Sequence, residues 1–134
     1  MRNYDITLAT ESNQYTGTFD WHAHWLNIRL TDGVVWLRQQ LSCSWLIDEI
    51  AMHIKKHRQA FMVAKFRAPK QGSGVMVLED GNTNVLETIN YCETDLCIDN
   101  VSFDESRNKQ PEITIFLAYD NYFKTHVAML PTEY

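Results

Sequence analysis

The feature that most constrains this chain is a change of hydrophobic period near its middle. Trp45, Leu46, Ile47, Ile50, Ala51 and Ile54 recur at helical spacing and form a wide apolar stripe. From Phe61 onward the period falls to two, with Phe61, Val63 and Lys65 alternating against Met62, Ala64 and Phe66, the pattern of a strand with one face on a core. A helix this amphipathic must hide its stripe, and the alternating segments downstream are the surface that hides it. Just upstream, Thr31 and Asp32 are good N-caps, and Val34, Leu37 and Leu41 follow at i, i+3 and i+7, which predicts a first helix over 32–41. Ser42 or Ser44 is expected to cap the second helix, and the run Lys55, Lys56, His57, Arg58 to close it. So short a gap between helices implies a helical hairpin or one bent helix.

Segments 75–79 and 85–91 flank Asp80-Gly81-Asn82-Thr83-Asn84 and read as a hairpin in which Asp-Gly and Asn supply positive φ angles. A strand over 112–119 turns at Asp120 and Asn121 toward a last strand at 125–130. The expected architecture is therefore α+β, a helical hairpin packed on a four- to five-stranded antiparallel meander sheet. No repeat or linker divides the 134 residues, so a single domain over 1–134 is expected, with 1–14 a frayed terminus or edge strand and 104–110 an exposed loop tip.

Composition narrows the function classes. An apolar fraction of 45% with 22% charged residues is that of a folding sequence rather than a disordered one. No apolar run approaches the ~20 residues needed to span a bilayer, which argues against a membrane protein. The net charge of −5 opposes a nucleic-acid backbone unless the basic groups cluster. Lys55, Lys56, Arg58, Lys65, Arg67 and Lys70 are the one basic group of note, and the solvated end of a helix accounts for them, so nucleic acid ranks third among partners. Three cysteines without an N-terminal apolar leader point to a reducing compartment, hence a cytoplasmic protein.

Few residues carry recognisable chemistry. His22 and His24 form an H-x-H pair, which on a strand sets both imidazoles on one face about 7 Å apart. Asp20 shares that face and Asp32 follows within reach, so a metal set of His22, His24 and Asp20 is one reading. The other is an amphipathic cover between Trp21 and Trp25 with satisfied ring nitrogens. Asp48 interrupts the apolar stripe and is placed to pair with His24, Arg29 or Arg38. Cys43 sits where a helix N-terminus lowers a thiol pKa, whereas Cys92-x4-Cys97 is wider than a zinc knuckle. Gly72-Ser73-Gly74 lacks the lysine and following helix of a phosphate loop and reads as a turn.

Tyr15-Thr16-Gly17-Thr18, His24-Trp25-Leu26, Thr31-Asp32-Gly33-Val34, Trp45-Leu46-Ile47-Asp48-Glu49-Ile50-Ala51 and Leu130-Pro131-Thr132-Glu133-Tyr134 together resemble a small bacterial and phage-associated family of unknown function, over about 15–134. The resemblance implies a stand-alone domain carried on mobile elements, with no known cofactor and no functional residue to transfer. The expected role is a non-catalytic interaction protein, an inhibitor or accessory factor of a mobile element, binding a protein partner through Trp21, His22, His24, Trp25, Asp32 and Asp48. The alternative is a metal-dependent hydrolase using His22 and His24 with Asp20 or Asp32. A homodimer through an open sheet edge is a further expectation.

Overall fold

The computed structural model describes residues 2–3, 20–41, 43–67, 74–91, 96–97 and 113–134. Helix α1 spans Asp32–Leu41 and helix α2 Ser44–His57. The strands in chain order are β1 (Arg2–Asn3), β2 (His22–Ala23), β3 (Arg29–Leu30), β4 (Phe61–Arg67), β5 (Gly74–Asp80), β6 (Val85–Tyr91), β7 (Leu96–Cys97), β8 (Ile113–Asp120) and β9 (Thr125–Met129). A 3-10 turn at Pro131–Glu133 follows.

The stripe on α2 is buried as its spacing requires, with Leu46, Ile47, Ile50, Ala51 and Ile54 out of water. These side chains, with Val34 and Leu37 of α1, share one core with Met62, Ala64, Phe66, Met76, Leu78, Ile113, Ile115 and Leu117 of the central strands. Strand β4 over 61–66 and β8 over 113–118 alternate between buried and half-buried residues, so one sheet face takes the helices. Each fully buried Leu or Ile contributes about 1.5–3 kcal/mol relative to exposure.

The expected four- to five-stranded antiparallel meander is wrong. Seven strands form one mixed sheet in the order β2-β3-β9-β8-β4-β5-β6, in which β3 and β9 run parallel, Arg29 opposite Val127 and Leu30 opposite Ala128. The β8–β9 hairpin returns beside β4 rather than continuing past β6. Two physical reasons account for the difference. Strands β2 and β3 are two residues long, too short to show a period, and the pairing of β3 with β9 joins segments far apart in the chain. Strand β6 carries Glu87, Thr88 and Asn90, which suits an edge better than a position between two neighbours. Outside this sheet, β1 pairs in parallel with β7; the remainder of 1–14, the 104–110 loop, Gly72, Ser73 and Cys92 lie outside the described residues, and Gly74 begins β5.

Local details follow the same logic. Thr31 caps α1 through its side chain as expected, its Oγ1 accepting the Val34 N–H at 3.4 Å. Cys43 occupies the N-cap of α2 without a side-chain cap bond. In the β5–β6 hairpin the Asp80 carboxylate accepts the N–H groups of Asn82 (2.8 Å) and Asn84 (2.9 Å) and the Asn84 side-chain amide (3.1 Å). Those bonds, the Asn84 side chain first, hold its carboxyl below the ordinary range. The residue at positive φ is Thr83, at 66°.

The last turn of the chain meets the start of α1 at Glu133. Its Oε1 accepts from Thr31 Oγ1 at 2.6 Å and from the Leu130 N–H at 3.0 Å, and its Oε2 accepts the Gly33 N–H at 3.1 Å. A carboxylate therefore sits on the positive end of α1. A Cβ at Gly33 would lie 2.7 Å from Glu133 Cδ and 2.8 Å from Leu130 Cδ1, so no larger residue fits without displacing the carboxylate.

Gly33→Ala, which helix propensity alone would favour by about 0.5–1 kcal/mol, is expected instead to destabilise by about 1–3 kcal/mol through loss of these bonds. Glu133→Ala is expected to cost a similar amount and the double variant little more than either single one, read by urea unfolding as a double-mutant cycle. In the hairpin, Thr83→Gly relieves a β-branched residue at positive φ and is expected to stabilise by about 0.5–1 kcal/mol, measured the same way.

Candidate functional site

The tight β2–β3 loop gathers most of the residues singled out by sequence. It closes through the His24 N–H on Ile28 O (3.0 Å) and the Asn27 N–H on His24 O (2.9 Å), with Asn27 at a φ of 65°. His24 Nδ1 accepts the Leu26 N–H at 3.1 Å. That bond leaves the ring proton on Nε2, which donates to Asp48 Oδ1 at 2.7 Å. The same Asp48 oxygen accepts Trp25 Nε1–H at 2.9 Å, and the Trp25 ring lies against His24 at 5.8 Å between centroids. Trp25 is 73% exposed, yet its indole is pinned from two sides. Of the three partners expected for Asp48, His24 is the one it takes.

His22 goes elsewhere. Its Nε2 lies 2.8 Å from Asp32 Oδ1, and Asp32 Oδ2 accepts the Asp20 N–H at 3.4 Å. The H-x-H pair is thus divided between a carboxylate at the start of α1 and one on α2. Asp20 meets Asp32 through its backbone, and both ring nitrogens of His24 are engaged.

Trp21 lines a separate cleft of about 350 Å³ with Thr31, Tyr119, Asp120, Glu133 and Tyr134. Trp21, Tyr119 and Tyr134 are each substantially exposed there. Asp120 Oδ1 accepts the N–H groups of Tyr122 (2.8 Å) and Phe123 (3.1 Å), which orders the β8–β9 turn. The Phe123 ring lies 5.8 Å from Trp21, and the Arg29 guanidinium sits 5.2 Å from its centroid.

Sequence reasoning missed a second constellation at the seam between α2 and β6. His53 and His57 project from one stripe of α2, their rings stacked at 6.4 Å. Glu87 of β6 stands opposite Leu78, a core residue, and so points to the helix side. His53 Nδ1 approaches Glu87 Oε2 to 2.6 Å and His57 Nε2 approaches Glu87 Oε1 to 3.7 Å. Lys56 Nζ donates to Glu87 Oε1, and that bond, above all, holds the Glu87 carboxyl below its ordinary range. Tyr91 OH reaches Glu49 at 3.5 Å; burial, then the Glu49 charge, pushes its pKa upward. The i, i+4, i+8 spacing of Glu49, His53 and His57 was legible, whereas Glu87 joins them only through the register of β6.

The basic run at Lys55, Lys56 and Arg58 is the exposed helix end that its position implied, whereas Cys43 does not have the lowered pKa that a helix N-terminus suggests. Lys56 is tied to Glu87, and Lys65 pairs with Glu79 at 3.1 Å on the sheet. Cys43 is fully buried, and desolvation pushes its pKa up to about 12 rather than down. Among the described residues no helix is long and apolar enough to cross a membrane.

Fold and site together define a mixed-sheet domain with two helices on one face and its polar clusters where loops and helix meet the sheet. Residues 6–134 match the family of unknown function DUF6876, and the chain belongs to that family. No curated protein and no solved structure matches it.

Asp48→Ala strands the buried Nε2–H of His24 and is expected to cost about 1–3 kcal/mol. Asp48→Asn retains an acceptor oxygen and should recover much of that loss. Chemical denaturation of the three proteins gives the comparison.

Proposed function

We propose that the protein is a non-catalytic, cytoplasmic binding protein that takes a lysine- or arginine-bearing segment of a protein partner in the cleft lined by Trp21, with the exposed Trp25 as a separate anchor. The observation that carries this reading is the cleft itself, where the rings of Trp21, Tyr119 and Tyr134 stand beside the Asp120 and Glu133 carboxylates. Aromatic faces and carboxylates around one concavity suit a cation with an aliphatic stem. The pinned indole of Trp25 supports the same reading, because an exposed tryptophan already held in one orientation loses little entropy when a partner covers it. His22 with Asp32, and His24 with Asp48, are positioning residues that fix the loop between the two tryptophans. The net charge of −5 steers a basic partner toward the molecule. Resemblance to phage-associated proteins supports a role accessory to a mobile element.

A displayed random-peptide library panned against the full chain tests the proposal. The expected result is enrichment of peptides with Lys or Arg beside apolar residues, binding that weakens with salt, and a loss of about 2 kcal/mol or more on Trp21→Ala. Absence of enriched peptides, or peptides that bind Trp21→Ala and Trp25→Ala as well as wild type, overturns it. So does a homodimer, seen by light scattering, that fills the cleft with a second copy.

A further inference from the structure

We infer that His53, His57 and Glu87 form a binding site for a divalent transition-metal ion of the zinc class, at the seam between α2 and β6. Among the described residues this is the one group of three such side chains whose ligand atoms lie within 4.8 Å of one another. Three side-chain atoms here, His53 Nδ1, His57 Nε2 and Glu87 Oε2, are shielded from water and make no hydrogen bond. The 2.6 Å approach of His53 Nδ1 to Glu87 Oε2 lacks the direction of a hydrogen bond. Buried polar atoms without partners each cost about 1–3 kcal/mol, and three of them facing one another call for a shared occupant. An ion satisfies all three at once.

The donor chemistry selects the ion. Two imidazoles and a carboxylate suit zinc, cobalt or nickel and not magnesium or calcium, which favour oxygen. Ligand atoms on a tetrahedral ion with bonds of about 2.0–2.1 Å stand roughly 3.3 Å apart, so adjustments within the side chains close the trio on a metal. The surroundings fit as well. With His53 bound through Nδ1, its Nε2–H faces Glu49 Oε2 at 3.7 Å, and Glu49 in turn is approached by Tyr91 OH. Lys56 holds the other oxygen of Glu87. Outer carboxylates on ligating histidines and hydrogen bonds to ligating carboxylates are what orient a metal's ligands. Three protein ligands leave a fourth tetrahedral position for water or a ligand.

Chelator-treated full-length protein titrated with zinc chloride, and separately with cobalt chloride, tests the assignment by calorimetry and by the cobalt ligand-field spectrum. Uptake of one equivalent is expected, with a spectrum free of thiolate charge-transfer bands and a melting temperature that rises with zinc concentration. His53→Ala, His57→Gln and Glu87→Gln should each weaken binding by about 100-fold or more. Glu49→Gln should weaken it by about 10–100-fold, and His126→Ala should leave it unchanged. Circular dichroism establishes that each variant is folded, and the conservative Glu87→Gln and His57→Gln keep the test open where His53→Ala is not. No uptake by wild type, uptake unaffected by His57→Gln and Glu87→Gln, or binding abolished instead by His22→Ala or by Cys92→Ser would each overturn the inference.

Discussion

One carboxylate joins the last turn of the structure to the start of α1. Glu133 occupies the N-terminus of α1, takes the Thr31 hydroxyl and the Gly33 amide, and folds back on its own turn at Leu130. The contact fixes more than a helix cap. Thr31 follows β3 directly, and its N–H donates to Ala128 O of β9 at 3.1 Å. The parallel β3–β9 pair, the start of α1 and the last turn are therefore one cooperative unit. Gly33 belongs to it because any side chain there would occupy the space of the carboxylate.

From that anchor α1 and α2 lie over the sheet and set the two places where polar chemistry gathers. Near its start α2 meets the β2–β3 loop, and Asp48 there binds both His24 and Trp25. Toward its end the same helix passes the edge strand β6, where His53 and His57 face Glu87. Its apolar stripe makes α2 a rigid beam, and Asp48 and the two histidines lie at the borders of that stripe. A substitution that unseats the beam would disturb both places, so their functions are best separated by changes to the polar side chains alone.

The two regions differ in what they offer. The cleft and loop present aromatic surface and carboxylates to solvent, with internal hydrogen bonds already satisfied, which is the condition of a preorganised binding face. The helix–edge seam holds His53 Nδ1, His57 Nε2 and Glu87 Oε2 shielded and without hydrogen bonds, which is the condition of a ligand set. Neither arrangement requires the other.

Much of the fold was legible. The helical stripe over 45–54, the first helix over 32–41 and the hairpin around Asp80 are local patterns, and local patterns report on short-range geometry. Thr31 as a cap and Asp48 as the partner of His24 were also within reach, since each rests on residue type near a helix start or on an interrupted stripe. What the residues could not disclose was pairing across long separations. Two-residue strands carry no period, so β2 and β3 were invisible, and with them the parallel step that makes the sheet mixed. The His22 and His24 pair looked like one site because alternation puts both on one face, but α1 and α2 each brought a carboxylate that drew them apart. Conversely, Glu87 could join His53 and His57 only once the register of β6 against β5 had turned it toward the helices. Composition and periodicity set which elements form and which faces are buried; chain-distant contacts, whose energies depend on three-dimensional register, decided which polar groups meet.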